Sequence, residues 1–146
     1  MKLYTIGFTQ KSAEAFFGLL RATRIERLVD IRLRPSGQLA GFAKQEDLPY
    51  FLQELSNGCW YTHMPLLAPT KEILEAYRED RDWPSYVERF ESLMDERHIP
   101  FSLGREMFDS ERCCFLCSEA LPEKCHRWLV GERLASFWRD LVIVHL

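Results

Sequence analysis

Between Arg112 and Ser118 the chain sets Cys-Cys-Phe-Leu-Cys, a run of apolar residues with no polar alternation. Such a run, bounded by charged and polar residues, reads as a strand buried on both faces. Shorter strand patterns recur along the chain. "KLYTIG" opens it, "IERLVDIR" follows, "GCWYTHMP" is ended by Pro65, and "DLVIVHL" closes it. Segments of helical period lie between them. "SAEAFFGLLRAT" aligns Ala13, Phe16, Phe17 and Leu20 behind a Ser12 cap, and "EDLPYFLQELS" aligns Leu48, Phe51, Leu52 and Leu55 behind Asp47. "TKEILEAYRED" forms a third helix. "WPSYVERFESLMDERHI" forms a fourth, with Pro84 in its first turn and Tyr86, Val87, Phe90, Leu93 and Met94 inward. "HRWLVGERLASFW" forms the last, with Val130, Leu134, Phe137 and Trp138 aligned. "LRPSGQLAGFAKQ" has Pro and Gly punctuation and no period, so it reads as a loop. Strands alternating with helices predict an α/β fold: one three-layer domain over residues 1–146, with a mainly parallel sheet of about five strands, Rossmann-like or rhodanese-like.

Charge and composition narrow the partners. The net charge is −3, which supplies no overall basic field for nucleic acid or an anionic membrane. No apolar run approaches the roughly 20 residues of a membrane span. The polar "TQKSAE" follows the opening strand at once, which is not the pattern of a secretory leader. The chain has five cysteines, an odd number, and they cluster rather than spread as a disulfide framework. Reduced thiols in the cytoplasm are therefore expected. Of the 19 basic residues 14 are Arg, a residue suited to bidentate binding of phosphate or carboxylate, although codon bias alone also produces such a ratio.

In an open parallel sheet, ligands bind beyond the carboxyl ends of the strands. The expected strand ends are Gly7-Phe8-Thr9, Asp30-Ile31-Arg32, His63, and Cys117-Ser118-Glu119. The next helix opens with Cys125, His126 and Arg127. A cleft lined by Thr9, Asp30, Arg32, His63, Cys117, Glu119, Cys125, His126 and Arg127 is the expectation.

Three stretches resemble a known family. "YTIGFT", "LVDIRLRPSG" and "CFLCSEALPEKCHRWLVGERL" are similar to the pattern of domain-of-unknown-function family 488 (DUF488). That pattern has a Thr-Ile-Gly-His-Ser start, a Val-Asp-Val-Arg-x-x-Pro segment and a late Leu-Cys-x-Glu…Cys-His-Arg segment. The resemblance covers nearly the whole chain. It departs at Phe8, where the family has His, and at Thr9, where it has Ser. The family carries no established reaction. The order of strand-end "DIR" and strand-end Cys before a loop and helix also resembles rhodanese-type domains, in which such a cysteine is a nucleophile. That likeness is one of layout.

Each residue has a functional and a plain reading. Cys117 is either a nucleophile, partly accessible and acidified by a helix N-terminus and by Arg32 or Arg127, or a small buried hydrophobe. Cys113 and Cys114 should be shielded. Glu119 and His126 could move protons. Glu119 otherwise caps a helix, and His126 otherwise bonds a loop carbonyl as neutral imidazole. Asp30 with Arg32 makes either an oriented anion site or a strand-end ion pair. Cys117, Cys125 and His126 could hold zinc, but their spacing is not that of a ribbon or finger, so no metal and no other cofactor is expected. Trp60, Tyr61 and Trp83 could stack on a base or fill the core. Arg34 and the "REDRD" run read as solvated. The leading expectation is an enzyme acting on a small anionic or nucleotide-like substrate through Cys117. The alternatives are a non-catalytic nucleotide or nucleic-acid binding module and a domain with a Cys/His metal site.

Overall fold

The order of elements follows the alternation in the sequence. In this computed structural model, residues 1–146 are described, the side chains of Gln38 and Leu39 excepted. The strands are β1 (Lys2–Gly7), β2 (Arg27–Asp30), β3 (Trp60–His63), β4 (Cys113–Cys117) and β5 (Val142–His145). The α-helices are α1 (Ala13–Ala22), α2 (Leu48–Leu55), α3 (Lys71–Asp80), α4 (Trp83–Glu96), α5 (Arg105–Ser110) and α6 (His126–Phe137). All pairings are parallel and the strand order is β3-β2-β4-β1-β5. β4 is central, and every residue of it is buried. That is why it shows no polar alternation: it has helices on both faces.

The two faces separate by strand parity. Cys114 and Leu116 of β4 point with Tyr4, Ile6 and Leu28 toward α1 and α2, where Phe16, Phe17, Leu20, Leu48 and Leu52 complete one core. Cys113 and Phe115 point the other way, toward Tyr86, Phe90 and Met94 of α4 and Val130 and Leu134 of α6. Two residues past Phe115, Cys117 shares this second face.

Local chemistry sets the helix ends. The Ser12 hydroxyl accepts from the Ala15 amide at 3.0 Å and starts α1. Asp82 caps α4 through the Ser85 amide at 3.2 Å, one residue before Trp83 and Pro84. Asp47 stands at the head of α2, but its side chain makes no capping bond. Three expectations change in detail. The segment taken as a loop after β2 contains a 3-10 turn, Gln38–Ala43, kinked at Gly41 with φ 54°. Leu55 and Phe137, placed on inward faces by period, are exposed. Helix α5 was not foreseen. It spans Arg105–Ser110 and buries only Phe108, so two adjacent apolar residues, Met107 and Phe108, left no period to detect.

Candidate active site

Parallel pairing brings the strand ends together. Gly7 is the register partner of Cys117, and Asp30 is the partner of both Leu116 and His63. A cavity of about 380 Å³ opens beside this edge, between the β4–α6 loop and the walls of α3 and α4. Cys117, Ser118, Glu119, Lys124, Cys125 and His126 line one side, and Leu74, Tyr77, Arg78, Arg81, Trp83 and Tyr86 the other.

Cys117 is the centre. It is only 4 % exposed, against the partial accessibility expected, but its side chain forms part of the cavity wall. Cys113 and Cys114 are shielded, at 1 % and 0 %. The Cys125 thiol donates to Cys117 Sγ at 2.8 Å. His126 Nδ1 lies 3.4 Å from the same sulfur. The other ring nitrogen, Nε2, is 2.7 Å from the Ile31 carbonyl. A carbonyl only accepts, so Nε2 carries the hydrogen and Nδ1 is left to exchange a proton with Cys117. His126 thus bonds a loop carbonyl and also faces the thiol.

Burial pushes the Cys117 thiol pKa up. The Cys125 thiol, the Arg127 charge and the backbone amides of Ser118 and Glu119 outweigh it, and the net shift is downward. Cys125 moves the opposite way, well above the usual thiol range, through burial and through the hydrogen bond and charge of Cys117. The two adjacent sulfurs are therefore chemically unequal.

The loop that presents those amides is held from behind. The Thr9 hydroxyl donates to the Ser118 carbonyl at 2.7 Å and the Thr9 amide to the same oxygen at 3.2 Å. Arg127 Nη1 donates to the Glu119 carbonyl, and Nη2 to the Ala120 carbonyl at 3.2 Å. Three successive carbonyls are drawn away from the sulfur, which leaves the amides of Ser118 and Glu119 for it. Thr9 and Arg127, expected as ligand-binding residues, are positioning residues in this geometry, and neither lines the cavity. Arg127 is fully buried. The loop also crosses β1 so closely that a Cβ on Gly7 would stand 1.6 Å from the Glu119 carbonyl oxygen. Only glycine fits there.

Asp30 and Arg32 take the plainer of their two readings. Asp30 is fully buried and accepts from Arg32 Nε and Nη2, each at 2.8 Å, and from the Tyr61 hydroxyl at 2.6 Å. Arg32 Nη2 also donates to the Ala43 carbonyl at 2.7 Å, and the guanidinium lies over the Phe8 ring. Phe8, where the family pattern has His, serves as this apolar floor. Arg32 borders the cavity with most of its donors engaged. His63 Nε2 meets the Arg32 carbonyl at 2.8 Å and does not reach the cavity. The Glu119 carboxylate is exposed at the lip.

Much of the cavity's charge comes from Arg34, Arg78 and Arg81, which read as solvated in the sequence. Its lining carries six basic side chains, Arg32, Arg34, Lys71, Arg78, Arg81 and Lys124, against two acidic ones, Glu75 and Glu119. Lys71 is paired with Glu75 at 3.7 Å. Arg81, at the left-handed C-cap of α3, lies over the Tyr77 ring. Trp83 stacks on Tyr86 with ring centroids 5.0 Å apart. Trp83 is the one residue of the three expected stacking aromatics that lines the cavity; Trp60 is exposed on β3 and Tyr61 is committed to Asp30. Only helix packing brings Arg78, Arg81 and Trp83 opposite Cys117.

Cys117, Cys125 and His126 bring their donor atoms within 4.8 Å of one another, the one such three-residue group among the described residues. Two thiols and an imidazole are a donor set that suits zinc.

The fold and this edge define a parallel α/β domain with a cysteine at the end of its central strand, facing a basic cleft. The chain belongs to the family described as domain of unknown function DUF488, which it matches over residues 12–134. No curated protein and no solved structure gives a significant match. No helix of the described residues is long and apolar enough to cross a membrane.

Proposed function

We propose that the protein is an enzyme acting on a small anionic, nucleotide-like substrate, with Cys117 as its nucleophile. The observation that carries this reading is the Cys117 sulfur in the cleft wall, bonded by the Cys125 thiol and faced by His126 Nδ1, in a cleft with six basic and two acidic side chains. In this reading Arg34, Arg78, Arg81 and Lys124 hold the anion. The stacked Trp83–Tyr86 pair offers a planar apolar surface to a base or ring. His126 Nδ1 accepts the Cys117 proton and returns it to a leaving group. The amides of Ser118 and Glu119 stabilise negative charge on the sulfur. All five cysteines are free thiols, which supports a reducing, cytoplasmic setting.

The rival is a nucleotide or nucleic-acid binding module that uses the same cations without chemistry. The net charge of −3 argues against long nucleic acid. Two measurements test the proposal together. Alkylation rate against pH, with the modified residue mapped by mass spectrometry, should find Cys117 faster than the other thiols, with an apparent pKa below that of a free thiol. Calorimetry with phosphate and nucleoside monophosphates should show binding that weakens about fivefold or more in Arg78→Ala and Arg81→Ala and weakens with added salt. An ordinary Cys117 pKa of about 8.5 with anion binding intact would leave the binding module as the better account.

A further inference from the structure

A single nucleophile at this edge would not need a second thiol at its back. Cys125 Sγ stands 2.8 Å from Cys117 Sγ, and both sulfurs belong to the cavity wall. The other cysteines have no such neighbour. Cys59 and Cys114 bond to strand carbonyls, at 3.5 and 3.7 Å, on the opposite face of the sheet. Cys113 faces the Met107 carbonyl at 3.9 Å. Cys125 is the N-cap residue of α6, yet its side chain makes no capping bond. Its sulfur is free of the helix and directed at Cys117. His126, the next residue, places Nδ1 at 3.4 Å from Cys117.

We propose that Cys117 and Cys125 are a reversible dithiol–disulfide couple on the wall of the cleft, in which Cys117 is oxidised by a small hydroperoxide and Cys125 resolves it. The inference rests on Cys117 being the reactive thiol of the preceding section. In the first step the Cys117 thiolate attacks the terminal oxygen of the hydroperoxide. An S–O bond forms, the O–O bond breaks, and Cys117 becomes a sulfenic acid. The departing alkoxide or hydroxide takes the proton that Cys117 had given to His126, so an alcohol or water leaves. In the second step the Cys125 sulfur attacks the Cys117 sulfur. The S–S bond forms, the S–O bond breaks, and hydroxide leaves with the Cys125 proton as water. The protein loses two electrons and two protons, and a small thiol reductant restores both. The cleft suits this chemistry because the first product is held beside its resolving partner, which protects it from further oxidation.

The probe is hydrogen peroxide at a few equivalents, added to fully reduced protein. Free thiols are then blocked and counted after denaturation, and the peptides are mapped without reduction. The expected result is a fall from five free thiols to three, a peptide joining Cys117 to Cys125, and full recovery with a small thiol. Cys125→Ser should instead leave Cys117 as a sulfenic acid trapped by dimedone, and Cys59→Ala should behave as wild type. Circular dichroism checks that each variant is folded, and the wild-type map stands alone if a variant is not. A Cys117 that alkylates quickly but never joins Cys125 overturns the couple and leaves the nucleophile in place. A Cys117 that neither alkylates nor oxidises overturns both. Protein purified with one equivalent of zinc, with both thiols protected until the zinc is chelated, overturns the couple in favour of a metal site.

Discussion

Gly7→Ala tests how the strand edge builds the site. The new methyl would stand 1.6 Å from the Glu119 carbonyl oxygen and 2.7 Å from Arg127 Nη1. Real Cβ contacts essentially never fall below 3.0 Å, so the carbonyl must withdraw by about 1.4 Å. It is backbone and cannot rotate away as a long side chain does. Moving it breaks the bond to Arg127 Nη1, and overpacking a tight interior costs about 1–3 kcal/mol. Loss of a hydrogen bond to a charged donor costs about 1.5–3 kcal/mol more. Relief of glycine's conformational entropy returns only about 0.5–1 kcal/mol. The expected net loss is about 2–5 kcal/mol, a large share of an ordinary domain's stability of about 5–15 kcal/mol. The measurement is equilibrium urea unfolding under reducing conditions, read by tryptophan fluorescence. The same displacement moves the Ser118 and Glu119 amides off Cys117, so its alkylation profile should shift to higher pH. A variant that loses less than about 1 kcal/mol and keeps the wild-type profile would refute the close crossing of β1 by the loop.

Arg127→Met should slow Cys117 alkylation at neutral pH severalfold, since removing the charge and the loop tethers takes away part of what lowers the thiol pKa. Arg127→Lys should recover part of the charge effect and little of the loop stability, because lysine lacks the fork that reaches two carbonyls. Asp30→Asn should destabilise by about 3–5 kcal/mol in urea unfolding, because it leaves the buried Arg32 guanidinium without its carboxylate. Stability should also fall at alkaline pH. Burial first, and Glu111 in part, raise the Cys113 thiol to about 12, and burial raises Cys59 to about 12. A folded-state pKa above the unfolded one means that the unfolded chain loses these protons first. The contribution is whole below an unfolded thiol pKa of about 8.5 and is lost as pH climbs toward 12. Thermal unfolding at neutral and at about pH 10.5 measures this; Cys59→Ala and Cys113→Ala should each flatten the decline.

The fold was legible because its signals are local. Unbroken apolar strands and helical period required no knowledge of packing, and they place Gly7, Asp30, His63 and Cys117 at one edge by parallel pairing alone. The immediate neighbourhood of Cys117 was half legible. Cys125 and His126 are close in sequence to Cys117, so their meeting is a short loop closure. What the sequence hid was direction. Nothing in "DIR" says whether Arg32 turns to a ligand or back onto Asp30, and the fully buried carboxylate decides it. Arg78 and Arg81 lie in a run of charge that solvent explains equally well. Their place on the cleft follows from the packing of α3 against α4, which brings residues of two helices opposite a strand end.

The charge of Arg127 bears directly on the ionisation of Cys117. A fully buried guanidinium is costly unless something compensates it. Among the described residues its hydrogen-bond partners are two loop carbonyls, and Nε has none. Carbonyl dipoles satisfy donors but do not cancel a net charge. Burial first, and this cation second, lower the pKa of Lys11 and of His145, so its field reaches both. A thiolate at Cys117 within that field is the compensation available on the other side. Once Cys117 carries the charge, a second thiolate beside it is opposed, and Cys125 keeps its proton and donates it to the first sulfur. The Cys125 hydrogen bond and this buried cation together lower the Cys117 thiol pKa, while burial and Cys117 itself raise that of Cys125, and this is the inequality that the proposed nucleophile and resolving partner require.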